Sequence, residues 1–186
     1  MNILPHNKRD KILVLVILLV VISYFGLRSS FKGLEQNVEA IGETEPLTLD
    51  WLSYDEGLAL AEKENKYVLI DFYTDWCGYC QKMERETYSK EEVKRILSEN
   101  FVTVKVNAES NNKVREKGEE ITERELARRY NVSGYPTIWF LESNQQRIAL
   151  LPGFVPAEQF ILVIKYIGEG WYKNISFEEY FKKNTS

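Results

Sequence analysis

A chain of 186 residues with 24 basic and 28 acidic side chains, a formal charge of −4 and 44% hydrophobic residues is long enough to bury one core of ordinary size. The acidic balance argues against a nucleic-acid partner, and a total of two cysteines excludes a multi-disulfide scaffold. The single histidine, His6, precedes every other feature of interest, so no imidazole serves the main domain as base or metal ligand.

Lys8, Arg9 and Lys11 lead into an apolar run from Ile12 to Leu27, closed by Arg28. At about 1.5 Å per residue it spans roughly 24 Å as a helix, short of the ~30 Å hydrocarbon layer but extendable by snorkelling and by Tyr24 and Phe25 at the interface. Tyr24-Phe25-Gly26 and Arg28-Ser29-Ser30 are poor cleavage sites. Residues 1–28 therefore read as an uncleaved signal-anchor, with secretion after cleavage as the alternative. The flanking charge bias puts the N-terminus in the cytoplasm and the remainder outside it. Residues 1–27 hold Lys8, Arg9, Lys11 and Asp10, leaving 21 basic and 27 acidic side chains and a formal charge of −6 for the remainder from Arg28 on.

Residues 29–50 lack periodicity, contain Gly33, Gly42 and Pro46, and read as a mobile linker before a domain at 51–182. Ser53 with Glu56 is a capping-box pattern that opens a helix ending near Asn65. Val68 to Tyr73 is β-rich and apolar on both alternating faces, as expected of a central buried strand. Helices are expected from Cys77 to Thr87 and from Ser89 to Glu99, then a strand from Phe101 to Val106. Ala108 to Ile121 is highly charged and reads as a surface excursion, after which Thr122-Glu123-Arg124-Glu125 opens a helix to Tyr130. Thr137–Leu141 and Arg147–Leu151, flanking Glu142 to Gln146, are expected to form an antiparallel hairpin, Pro156 to Ile167 a helix, and Ser176 with Glu179 a short final helix. This order gives an α/β fold, a βαβ half and a ββα half around one mixed sheet flanked by helices.

Both cysteines fall in Trp76-Cys77-Gly78-Tyr79-Cys80, directly after the central strand. Alone they fall two ligands short of a closed structural zinc site, so they are a redox couple, a two-thiolate metal site such as one for Cu(I), or inert. In a helix starting at the motif, Cys77 meets free N–H groups whose partial positive charge lowers its pKa from ~8.5 toward ~7 or below. Cys77 then attacks a substrate disulfide, and Cys80, almost one turn on and pointing inward, resolves the mixed disulfide. Asp71 is the one charged residue in the apolar strand; burial raises its pKa and fits it to exchange the Cys80 proton, against the plainer reading of a strand-end cap. Lys105 on the next strand either compensates that carboxylate or faces solvent. Gly134-Tyr135-Pro136-Thr137 precedes a strand, and a cis Pro136 would aim the Tyr135 backbone at the cysteines as a partner for an extended substrate. Trp76, Tyr79 and Tyr135 would surround the sulfurs with an apolar rim, or else fill the core.

Val68-Leu69-Ile70-Asp71-Phe72, the cysteine motif, Lys105-Val106-Asn107 and Gly134-Tyr135-Pro136-Thr137 follow one another in an order that resembles the thioredoxin superfamily over roughly Leu49 to Gly168. The resemblance implies a thioredoxin fold, Cys77 attacking, Cys80 resolving, Asp71 and Lys105 paired beneath them, and Pro136 cis. It further implies substrate contact by Trp76, Gly78, Tyr79 and Tyr135, and no cofactor or metal. The insert, Leu151-Pro152-Gly153-Phe154-Val155-Pro156 and the tail around Trp171 look most like exported bacterial thioredoxin-related proteins, including the type associated with sulfur-oxidation gene clusters. Tyr79 stands where cytoplasmic thioredoxin has proline, and Cys-Gly-Tyr-Cys also occurs in periplasmic disulfide isomerases, which leaves reductase, isomerase and oxidase directions open. The implied partners are protein or peptide disulfides and a transmembrane electron donor, since an oxidising compartment would leave a reductase spent.

Overall fold

The structure, a computed structural model, describes residues 47–185. The expected anchor and most of the expected linker lie outside the described residues. Among the described residues, no helix is long and apolar enough to cross a membrane.

A four-stranded sheet in the order β2-β1-β5-β6 organises the fold. β1 (Tyr67–Tyr73) runs parallel to β2 (Phe101–Asn107) and antiparallel to β5 (Thr137–Leu141), which pairs antiparallel with β6 (Arg147–Pro152). The parallel pair needs a crossover, supplied by α2 (Gly78–Met83) and α3 (Glu91–Asn100). Because β1 is sandwiched between β2 and β5 with both faces covered, Val68 to Phe72 are all buried, as the unbroken apolar run predicts. Val68, Ile70 and Phe72 face one core with α1 (Tyr54–Glu64) and α4 (Glu123–Arg129). Leu69 faces the other core with α3 and α5 (Ala157–Gly168), and strand alternation puts Asp71 on that same face.

The capping box at α1 forms as read: the Ser53 backbone N–H donates to Glu56 Oε2 at 3.3 Å, Ser53 Oγ donates to the same oxygen at 2.6 Å, and the helix ends at Asn65 in the left-handed region, φ 54°. Inside α1, Gly57 is required by close approach, since a Cβ there would lie 2.2 Å from Val104 Cγ2 on β2. Gly57→Ala is accordingly expected to destabilise the fold by about 1–2 kcal/mol in urea unfolding, overpacking outweighing the ~1 kcal/mol gain in helix propensity.

Three expectations change. The helix from Cys77 does not run evenly to Thr87: α2 ends at Met83 and passes into a π-helical turn, Glu84–Tyr88, where Ser89 N–H bonds Glu84 C=O at 3.1 Å. Thr87 Oγ1 donates to the Val155 carbonyl at 2.7 Å, an interaction with the loop before α5 that a 3.6-residue period does not reveal. The charged stretch 108–121 is no plain surface excursion. It contains a hairpin, β3 (Lys113–Glu116) and β4 (Glu119–Thr122), turning at Lys117 and Gly118 with φ 52° and 83°, and it buries Val114, Glu116 and Ile121. Leu47 to Asp50, assigned to the linker by composition, lie on the domain: Leu49 packs against the second core and Thr103 Oγ1 donates to the Asp50 carbonyl at 2.8 Å. The last helix, α6 (Phe177–Thr185), is the short final helix read from Ser176 and Glu179, with Tyr180 buried against Tyr166 and Trp171.

Candidate active site

The chain leaves β1 at Tyr73, turns through Thr74-Asp75-Trp76 and enters α2 with Cys77 as its N-cap. Cys77 N–H bonds the Thr74 carbonyl at 3.1 Å, and Cys77 Sγ accepts from the Cys80 backbone N–H at 3.0 Å. The first sulfur therefore occupies the place of a capping oxygen, where an orphan helix donor meets it. Cys77 and Cys80 are joined in a disulfide with their Cα atoms 5.3 Å apart. Both residues are largely covered, 4% and 7% exposed, while Trp76 and Tyr79 beside them are 67% and 63% exposed. Gly78 is also exposed, and its missing Cβ faces open space.

Cys80 opens onto a cavity of about 240 Å³ that it shares with Asp71, Tyr73, Thr74, Asp75, Gln81, Glu84 and Lys105. Asp71 is 2% exposed, and burial pushes its carboxyl up to about 7; Lys105 works against that rise and Glu84 adds to it. Asp71 lies opposite Lys105 in the parallel register of β1 and β2. The ammonium of Lys105, however, forms its ion pair with Glu84 and sits over the rings of Trp51 and Tyr73, 4.7 and 5.4 Å from their centroids. Asp71 and Lys105 thus share a site without a direct salt bridge, because Glu84 competes for the ammonium from the more exposed side.

The Tyr135-Pro136 peptide is cis. Its loop is held by Thr137 Oγ1 donating to Gly134 C=O at 2.7 Å and by Gly153 N–H donating to Pro136 C=O at 2.8 Å. Tyr135 meets Trp76 edge to face with ring centroids 6.0 Å apart, so two of the expected aromatic rim residues touch; Tyr79 stands apart on the helix with its side chain in solvent. Trp76 Nε1 donates to Glu109 Oε2 at 3.0 Å, which fixes the exposed indole from the loop after β2.

Three residues here escape a reading of motifs. Glu84 carried a signal, since it follows Cys80 by four positions and so shares its helix face. Glu109 carried none, because its contact with Trp76 spans 33 residues. Tyr88, buried behind Asp71, depends on the π-helical turn for its placement.

Residues 54–168 match the thioredoxin-like domain family. Among curated relatives, the thiol:disulfide interchange protein DsbD of Yersinia pestis is 36% identical over 104 residues, covering 55% of this chain and 16% of its own length. The chain thus spans about a sixth of that relative. Among solved structures, a thioredoxin from Thermus thermophilus is 32% identical with a TM-score of 0.54, covering 64% of this chain and 86% of that one. A thioredoxin-fold protein from Helicobacter pylori is 28% identical with a TM-score of 0.56, over 66% and 88% of the two chains. With the family matching from α1 to the end of α5, and the cysteine pair, the buried aspartate and the cis-proline loop set on the sheet it organises, the chain belongs to the thioredoxin-like domain family.

Proposed function

We propose that this chain is a thiol-disulfide oxidoreductase that reduces protein disulfides outside the cytoplasm, held at the membrane by its N-terminal apolar segment. The observation that carries the reading is the Cys77–Cys80 disulfide at the start of α2, with Cys80 opening onto the cavity that holds the buried Asp71. In the reduced protein the Cys77 thiolate, capped by helix N–H groups, attacks one sulfur of a substrate disulfide and expels the other as a thiolate. Asp71 accepts the Cys80 proton across the cavity. The Cys80 thiolate then attacks Cys77 Sγ, releasing the substrate fully reduced and leaving the disulfide of this structure. Trp76, Tyr79, Tyr135 and Gly78 offer the substrate an aromatic, unobstructed approach, and Pro136 shapes the loop beside it.

Turnover needs two electrons per cycle from outside the domain. The apolar run Ile12 to Leu27, the family match and the likeness to part of a thiol:disulfide interchange protein support a membrane-embedded dithiol donor on the periplasmic side. The motif Cys-Gly-Tyr-Cys favours isomerase or oxidase action as the second reading. The reduction potential of the Cys77/Cys80 couple, measured against a glutathione series, separates the two: a reductase is expected below about −200 mV, and a value near −120 mV, that of a strong oxidant, overturns the reductive direction.

A further inference from the structure

Asp71 Oδ1 and Tyr88 Oη are both buried and neither makes a hydrogen bond of full geometry, yet the two side chains are neighbours, close enough for the phenol to favour the charged carboxylate. Tyr88 is 2% exposed, with its ring fixed edge-on against Trp51 and Phe160 at centroid distances of 5.0 and 5.7 Å. Trp51 in turn carries the Lys105 ammonium over its face, so Tyr88 is linked through Trp51 to Lys105, which lines the cavity behind Cys80 together with Glu84 and Asp71. A buried hydroxyl with no partner is costly, and phenylalanine would fill the same space without it.

Resting on the redox reading above, we infer that Tyr88 is a positioning residue for the resolving step: its hydroxyl donates to Asp71 Oδ1 when that carboxylate is ionised, and holds the charged base toward Cys80. Of the charged groups around Asp71, Lys105 is engaged and Glu84 and Asp75 have the wrong sign, while the Thr74 hydroxyl, buried without a partner, also lines its cavity. Lys105 is committed to Glu84, Glu84 repels the carboxylate, and Tyr73 and Asp75 line the cavity shared with Cys80. Burial and the charge of Asp71 both push the Tyr88 phenol upward, so it keeps its proton and acts only as a donor. In the step it serves, the Cys80 proton passes to Asp71 and the new Cys80–Cys77 bond forms. The bond from Cys77 to the substrate sulfur breaks, and its electron pair leaves on the substrate thiolate.

The test is stopped-flow reaction of the reduced full-length chain, in detergent, with the aromatic disulfide dithionitrobenzoate. A first thionitrobenzoate is released by Cys77 attack and a second by Cys80 resolution. In Tyr88→Phe the pH midpoint of the second phase is expected to rise by about one unit, lowering its rate at pH 7 about fivefold, while the midpoint of the first phase stays in place. In an Asp71→Asn background, Tyr88→Phe should add no further change to the second phase. Site-specific 3-fluorotyrosine at position 88 keeps the ring and strengthens the donor, and should move the midpoint down even if the phenylalanine variant fails to fold. Coincident second-phase profiles for wild type and Tyr88→Phe, an undiminished effect in the Asp71→Asn background, or no downward shift with fluorotyrosine each overturns the inference. A wild-type chain that releases no second thionitrobenzoate refutes the redox reading itself, and this inference with it.

Discussion

Cys77→Ser is expected to abolish disulfide reduction, with a loss of at least about 10³-fold in the rate at which a thiol donor drives reduction of a model protein disulfide. A serine hydroxyl in the same N-cap position still accepts the Cys80 N–H, so the fold has no reason to change. What disappears is the ionisable sulfur, and a hydroxyl is not ionised at neutral pH by a helix terminus alone. Cys80→Ala should behave differently, because the attacking sulfur survives while the resolving one is gone. Intact mass after incubation with a disulfide peptide should show one covalent adduct at Cys77 that persists until an external thiol is added. Undiminished turnover in Cys77→Ser would end the nucleophile assignment, whatever the family.

Asp71→Asn should produce two large effects of opposite sign. The folded carboxyl titrates near 7 against an unperturbed 3.8, because burial disfavours its charged form. Below the lower value both folded and unfolded chains hold the proton. Between the two values the unfolded chain releases it while the folded chain keeps it, so stability falls as pH rises through that window, by roughly 4 kcal/mol in all. Asparagine removes the titration. At pH 8 the variant should be more stable than wild type by about 2–4 kcal/mol in chemical denaturation, the lower end reflecting the burial of an amide with incomplete partners. Near pH 4 the difference should shrink toward zero. On the proposed mechanism the same variant lacks the base for Cys80, and its resolving phase should slow by on the order of 10²-fold. A stability difference that does not vary with pH would show that Asp71 is not the buried titrating group.

The site divides into parts that local pattern announces and parts that it does not. β1 was readable because a strand covered on both faces must be apolar throughout, which also makes Asp71 conspicuous within it. The pairing of Cys77 with Cys80 follows from three-residue spacing on a helical turn. The hairpin β3–β4 was hidden because its short strands bury few apolar side chains, and the buried Glu116 is satisfied by the hydroxyl of Tyr54, 62 residues earlier. The contact of Trp76 with Glu109 and that of Lys105 with Glu84 were hidden for the same reason: each joins residues far apart in sequence.

By itself, the sequence determined the order of the helices and strands apart from the β3–β4 hairpin and the π-helical turn, the central position of β1, the Cys77/Cys80 pair and an aspartate buried in the strand before it, because periodicity and spacing act within one element. Only the tertiary structure decided that Lys105 pairs with Glu84 and leaves Asp71 without a salt bridge, and that the π-helical turn sets Tyr88 beside it. The balance among Asp71, Lys105, Glu84 and Tyr88 depends on which of them are desolvated together, and that is fixed when β1, β2 and the turn after α2 pack around one cavity.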